Sequence, residues 1–398
     1  IMDSYITLKV KEENLEVINE MLPYVSEYIK EIIYDRDNKI IKVRCDEDSR
    51  SEVENSIQEL EEMVTNNFFE NDKINSVIIK DWTNKKVYNK KDVFAELKEK
   101  LEIYDTASGA FAYNGLTLKI FNYFLYKIDE YAKQIFNDCT IKYHRVPSLY
   151  SLDGYQKGGY FDSFPHHIMF ETTCLNNLYN INKFSEAQNF KEANVKIKKP
   201  SNVLRTASCA PIYKYLENKV IDKNEKDIYI VIGTCFRNEA ENIKTLSRLN
   251  EFTMKEYVFV GDERFIEDKL DRAMGLWEFW ADTFSLNSKI ETATDSFFAN
   301  NYKRLKLFQV LGKSKIEFKC LIPNENKYIS CSSKNYHRTH FSSKYNICYG
   351  DKSTLAQSAC FAFGIDRLTF ALLSQKGVDI ELWDENTIEE INKYVELF

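Results

Sequence analysis

No uninterrupted apolar run in the 398-residue sequence approaches the ~20 residues that a helix needs to cross a bilayer. After Ile1 the chain opens on the acidic stretch Met2–Glu16, which lacks the basic-then-apolar order of a secretory signal. These absences predict a soluble, cytoplasmic protein with no membrane partner. The nine cysteines, at 45, 139, 174, 209, 235, 320, 331, 348 and 360, include no CxxC pair and total an odd number. They speak against a disulfide framework and read as reduced thiols, most of them packing residues and a few available as metal ligands. No internal repeat is visible. With 44% hydrophobic and 29% charged residues, the chain is neither disordered nor fibrous, and it has apolar surface for one large core and a smaller one.

Negative charge is confined to one end. Residues 1–100 carry 16 Lys+Arg against 23 Asp+Glu, a net of -7, and the whole chain's 54 against 61 gives the same -7. So acidic an N-terminal quarter repels a phosphate backbone, which argues against a nucleic-acid arm and against tRNA as a partner. Its pattern is that of a small α+β unit. Ser4–Val10 alternates like a half-buried strand, and Glu12–Lys30 places Leu15, Ile18, Leu22, Val25 and Ile29 at helical spacing. Lys39–Cys45 reads as a strand, Ser49–Val64 as a second amphipathic helix and Asn75–Lys80 as a further strand. The polar, aperiodic Asp81–Lys91 follows. We place the boundary near 105, giving a small acidic α+β domain over residues 2–105, of unassigned role, and a larger domain over 106–398.

The larger domain opens on a helical stripe from Leu116 to Phe136. Strand-like runs follow at Ile228–Ile232, Tyr257–Val260, Ile316–Leu321 and Tyr328–Cys331, with longer helical stretches only at Glu263–Phe284 and Ser358–Leu373. Strands that succeed one another without intervening helices predict an antiparallel sheet and an α+β fold. The basic stretch Lys183–Lys199 reads as a solvated surface loop.

Two blocks carry chemistry. In Cys235–Gly261 a strand, a polar loop and a second strand present Phe236-Arg237-Asn238-Glu239 before the loop and Arg248-Leu249-Asn250-Glu251-Phe252 after it. An exposed strand often carries Arg and Glu two apart on one face, so the first tetrad alone says little. The ordered combination says more. In Ser358–Leu373 an apolar run leads to Gly364-Ile365-Asp366-Arg367 and then to a hydrophobic helix. Together the blocks resemble motifs 2 and 3 of the class II aminoacyl-tRNA synthetases, which implies an antiparallel sheet flanked by helices, with ATP and Mg2+. Activating a carboxylic acid with ATP brings two anions together, and arginine holds a permanent charge in a planar fork suited to phosphate oxygens. By resemblance Arg237 faces the α-phosphate and Arg367 the γ-phosphate, as the catalytic pair. Gly364 lets the strand-to-helix junction pass close to the nucleotide, Glu239 accepts from the adenine amino group and Phe252 lies on the adenine ring. Arg248 clamps the other side of the nucleotide or the substrate carboxylate.

A narrower resemblance rests on GYFDSFPHHIMF (159–170), RTASCAPIYKY (205–215), ATDSFFANNYK (293–303), IEFKCLIP (316–323) and NYHRTHFSSKYNI (335–347). These segments resemble the amino acid:[carrier protein] ligases, relatives of the atypical seryl-tRNA synthetases of methanogens. The similarity spans roughly residues 110–375, and the first hundred residues have no counterpart in it. The branch implies Zn2+ bound by Cys209, Glu256 and Cys360. Spacings of 47 and 104 residues carry no local zinc signature, and by themselves the residues read as packed thiols; the resemblance reverses that. Three protein ligands leave a fourth position open for the substrate amino group, which also places Glu256 at the substrate. Cys235 and Cys331 are the alternative thiols. Asp295 either helps hold the substrate amine or caps the following helix. His337 and His340 receive no catalytic role. One departure stands out: where the synthetases hold Mg2+ through an acidic residue, KYISCSS offers Lys327 and Tyr328, with only Glu325 nearby.

The resemblance thus implies ATP-dependent activation of a small amino acid as an aminoacyl-adenylate. The acyl group then passes to the phosphopantetheine thiol of a carrier protein, and the enzyme is expected to be a homodimer. Two alternatives remain. A seryl-type aminoacyl-tRNA synthetase needs an RNA grip, and neither a basic stripe nor a long helical arm is present. A non-catalytic amino acid sensor is favoured by the replaced carboxylate and opposed by the intact Arg237, Glu239, Phe252 and Arg367.

Overall fold

The computed structural model describes residues 3–35, 38–65, 76–187, 195–294 and 314–397. Among these, one eight-stranded sheet runs in the order Ile78–Asp81, Ser288–Thr292, Lys315–Ile322, Lys327–Arg338, Gln357–Gly364, Glu251–Gly261, Asp227–Phe236 and Thr140–Arg145. Its neighbours are antiparallel except the final pair, Asp227–Phe236 with Thr140–Arg145. This is the antiparallel α+β architecture the strand pattern predicts.

Helices cover one face. Glu263–Thr283, Gly115–Ile135 and Ile365–Lys376 bury Trp277, Trp280, Phe124 and Leu372 against Tyr257, Phe318, Phe361 and Phe363 of the sheet. Asp262 starts the first of these helices, its carboxylate accepting from the Phe265 backbone N–H at 2.8 Å. Trp277 lies 4.4 Å from the Phe361 ring and 6.0 Å from Phe318, centroid to centroid. The opposite face carries a second cluster of Cys209, Val258, Val260 and Cys360, closed by the short helices Ala210–Tyr215 and His340–Tyr345.

The N-terminal strands form their own antiparallel sheet, Asp3–Lys9, Ile40–Asp46 and Glu31–Asp35 in that order, with helices Glu12–Met21 and Arg50–Thr65. Their core, from Ile6 to Val64, is separate from the main one. The first helix is shorter than its apolar spacing predicts. Pro23 lacks an N–H and restricts Leu22, so the α-helix stops at Met21 and gives way to a 3-10 turn over Leu22–Tyr24. That frees Glu31–Asp35 to become a strand absent from the sequence reading.

Three further expectations are corrected. Ile78–Asp81 pairs with Ser288–Thr292 in the main sheet and does not belong to the N-terminal unit. Val93, Leu97 and Ile103 are buried in the main core. Packing therefore divides the chain between residues 65 and 78 and not near 105, because the partner of that strand lies about two hundred residues away, where no local pattern points. Within Ser358–Leu373 only the part from Ile365 is helical, and Gln357–Gly364 is a central strand. Both faces of that strand are covered, so its apolar run lacks the alternation that marks a strand. Finally, Leu178–Glu186 is a helix capped by Asn177, where a loop was expected from Lys183; residues 188–194 lie outside the described residues.

Trp277→Ala is expected to cost about 3–5 kcal/mol, as large-to-small changes at fully buried aromatic sites do. Urea unfolding followed by circular dichroism measures it, with the exposed Tyr5→Ala as a near-neutral control.

Candidate active site

Arg237 follows the last residue of the Asp227–Phe236 strand, and its backbone N–H donates to Asn250 O at 2.9 Å across the hairpin. The side-chain Nε and Nη2 each donate to Thr206 O at 3.3 Å, and the guanidinium carbon lies 5.1 Å from the Phe252 ring centroid. Arg367 stands in the first turn of the Ile365–Lys376 helix and donates to Ser330 O at 3.0 Å. Burial lowers the Arg367 pKa most, and Arg248 and Arg237 push the same way against Glu239. Arg248 and Arg237 are thus close enough to act on Arg367, which has less counter-charge than Arg248. Gly364 caps that helix, and a Cβ there would meet Cys331 O at 3.3 Å, which leaves little room for a side chain.

Glu239 is buried, and one of its oxygens accepts from Arg248 Nη1 at 2.9 Å. Arg248 Nη2 also lies 3.5 Å from Glu20, a carboxylate of the N-terminal unit. Beside it, the Tyr24 ring meets His166 edge-on at 4.8 Å. The N-terminal unit therefore rests on the loop of the first motif. Sequence reasoning missed Glu20 and Tyr24, since nothing local marks either residue as part of a site two hundred positions downstream.

Lys327 opens its strand as an exposed residue near enough to Arg248 and Arg367 for their charges to act on it. Burial lowers its pKa first, then Arg248 and Arg367, with Glu325 acting in opposition. Glu325 is itself tied to the loop by Thr245, whose Oγ1 donates at 2.9 Å. A cation therefore stands where the family's acidic residue was expected.

Asp366, between the motif glycine and arginine, was also passed over. Its oxygens accept from the Tyr113 hydroxyl at 2.5 Å and from the Thr253 N–H at 2.6 Å, tying the Ile365–Lys376 helix to the Glu251–Gly261 strand. Burial pushes its pKa up to about 6 despite both donors.

On the cluster-bearing face, one ligand atom from each of Cys209, Glu256 and Cys360 lies within 4.8 Å of the others, and all three residues are buried. No other such group of three occurs among the described residues. Strand register explains two of them: Val258 pairs with Cys360 on neighbouring strands, and Glu256 lies two residues before Val258 on the same face. Glu256 Oε1 accepts from the Ser208 and Cys209 N–H groups at 2.7 and 3.1 Å. Its Oε2 is buried with no hydrogen-bond partner. A buried carboxylate oxygen without a donor is costly unless a cation faces it, and two thiols with one carboxylate suit zinc. The donor set therefore fits the metal. The alternative thiols are engaged elsewhere. Cys235 lies 3.5 Å from Arg205 Nη1 and 3.3 Å from Ser208 Oγ, and Cys331 donates to Arg367 O at 3.6 Å. Asp295 lies outside the described residues.

Residues 190–376 match the family model described as tRNA synthetase class II core domain (G, H, P, S and T). The chain is similar to two kinds of protein. It is 28% identical over 249 residues to amino acid–[acyl-carrier-protein] ligase 1 of Bradyrhizobium diazoefficiens, covering 60% of this chain and 73% of that protein. It is 27% identical over 206 residues to the type-2 serine–tRNA ligase of Methanocaldococcus jannaschii, covering 50% of this chain but only 39% of that protein. Among solved structures, M. kandleri SerRS in complex with A. aeolicus tRNASec matches with a TM-score of 0.69 at 17% identity, over 98% of this chain and 78% of that one. Pyrococcus horikoshii seryl-tRNA synthetase complexed with ATP matches with a TM-score of 0.58 at 12% identity, over 86% and 79%. At such identities the structures speak to fold alone. The 98% coverage nevertheless takes in the N-terminal unit, for which the sequence suggested no counterpart. No helix among the described residues is long and apolar enough to cross a membrane.

Asp366 makes stability depend on pH. Its folded pKa of about 6 lies above the ~3.9 of an unfolded Asp, so between these values the folded form alone holds the proton. Its contribution to stability is therefore greatest below about pH 4 and is lost as pH rises through 6. The difference in urea unfolding free energy between wild type and Asp366→Asn should fall between pH 4.5 and 7. A pH-independent difference would contradict the assignment.

Proposed function

We propose that the protein activates a small amino acid with ATP and passes the acyl group to the phosphopantetheine thiol of a carrier protein. The observation that carries this reading is the adjacency of the arginine cleft to the buried Cys209–Glu256–Cys360 group. The two meet at the turn from Thr206, which accepts from Arg237, to Cys209. In the first step the amino acid carboxylate attacks the α-phosphorus, a P–O bond forms and pyrophosphate leaves. Arg237 neutralises charge growing at that phosphorus, while Arg367 and Arg248 meet the outgoing phosphates. Lys327 adds a fourth cation there, so that Mg2+ is carried mostly by ATP itself. Phe252 offers its face to adenine, and Glu239 its free oxygen to the adenine amino group. Such stacking is worth about 1–3 kcal/mol per base in nucleic-acid complexes. In the second step the pantetheine sulfur attacks the acyl carbon, a thioester forms and AMP leaves with the electron pair of the broken C–O bond.

Cys209, Glu256 and Cys360 would hold zinc, whose chemistry is to bind the substrate's neutral amine at an open coordination position. The chain's own part is to orient Glu256 through the Ser208 and Cys209 N–H groups and to give up thiol protons on binding. Asp295 is kept in this reading as a second contact to the amine or a helix cap, and the enzyme as a cytoplasmic homodimer. Support for the carrier protein comes from the Bradyrhizobium ligases, which the chain covers over 73% and 71% of their lengths. The fold shared with a tRNA-bound synthetase favours a second reading, transfer of serine to tRNA. The acidic N-terminal quarter opposes it.

Amino-acid-dependent exchange of pyrophosphate into ATP tests the first step, and transfer of labelled amino acid to holo carrier protein or to bulk tRNA tests the second. Arg237→Ala and Arg367→Ala should each lower exchange by about a hundredfold or more. Exchange followed by transfer to tRNA alone would overturn the carrier-protein reading. Cys209→Ala should lose bound zinc, by elemental analysis, together with exchange; retention of both would remove Cys209 from the ligand set.

A further inference from the structure

Cys360 has side-chain donors around it beyond the ligand group. The Lys327–Arg338 strand pairs with Gln357–Gly364 so that Asn335 sits opposite Cys360, and His337 stands at the irregularity between Tyr336 and Arg338, where the register shifts. Asn335 Nδ2 lies 3.5 Å from the Cys360 sulfur and His337 Nε2 3.8 Å. The other imidazole nitrogen, Nδ1, is 3.0 Å from the Tyr213 hydroxyl. A phenol can donate its proton to Nδ1. An imidazole that accepts at Nδ1 carries its hydrogen on Nε2, the nitrogen facing sulfur. Phe341 meets the ring edge-on at 4.9 Å and 88°, which fixes its plane. His337 is not a member of the group whose ligand atoms converge, so it stands beside the ligands and not among them.

We infer that His337, held in one tautomer by Tyr213, is a positioning residue that donates an N–H···S hydrogen bond to Cys360 and so sets how firmly the Cys209–Glu256–Cys360 group holds zinc. This rests on the metal reading of that group. The physical reason is charge: two thiolates and a carboxylate bring three negative charges to a divalent ion in a buried place. A donor aimed at one sulfur disperses the excess and fixes the sulfur's direction. Partners of this kind are worth about 10- to 100-fold in metal affinity elsewhere.

The test uses the full chain, stripped of metal and titrated with Zn2+ in competition with a chromophoric chelator. His337→Ala should weaken binding by about 10- to 100-fold. His337→Gln, whose amide nitrogen reaches the place of Nε2, should restore most of it, and Tyr213→Phe should give a smaller loss. With Co2+ in place of zinc, the thiolate-to-metal charge-transfer band should move to lower energy in His337→Ala, because the sulfur lone pair loses its donor. Unchanged affinity and an unmoved band in His337→Ala overturn the inference. Equal losses in the Ala and Gln variants with an unmoved band reduce His337 to packing and overturn it as well. A wild-type chain that takes up no zinc defeats the metal reading itself, an outcome distinct from losses confined to the variants.

Discussion

Along the Glu251–Gly261 strand successive side chains point to opposite faces, and its pairing with Gln357–Gly364 sets Val258 against Cys360 and Glu256 against Ala362. That register decides almost everything else. It sends Tyr257, Phe259, Phe361 and Phe363 into the helix-covered core, and Glu256 and Cys360 to the other face within reach of Cys209. A slip of one residue would bury the carboxylate among the tryptophans and turn aromatic rings toward the ligand site. The large aromatic core that stabilises the domain also fixes the chemistry on its reverse side.

Charge organises the cleft at the end of that sheet. Burial first, then Arg248 and Arg237, lower the Arg367 pKa, whereas Arg248 is paired with the buried Glu239 and the more exposed Glu20. Because Glu20 comes from the N-terminal unit, the acidic end of the chain takes part in this balance. The unit's small core is self-contained, yet Tyr24 lies against His166 and Glu20 against Arg248, so its position bears directly on the loop that follows Phe236.

Buried polar groups of two kinds meet here. Asp366 has its donors supplied within the chain, by Tyr113 and Thr253, and serves as an internal tie between strand and helix. Glu256 has donors for one oxygen only. Satisfied groups of the first kind hold the scaffold rigid, whereas an unsatisfied one is costly to bury.

Much of this was legible beforehand. Strands without intervening helices indicate an antiparallel sheet, which the main sheet is except for its final pair. Local pattern also located Gly115–Ile135 and Glu263–Thr283, because an apolar stripe of period 3.6 is written into neighbouring positions. The tertiary structure alone decided the rest. It assigned Ile78–Asp81 to the main sheet, turned Gln357–Gly364 from apparent helix into a strand covered on both faces, brought Glu20 to Arg248 and set His337 beside Cys360. Each of these depends on contact between residues far apart in the chain, and side-chain types and short-range periodicity carry no information about which distant partner a residue will meet.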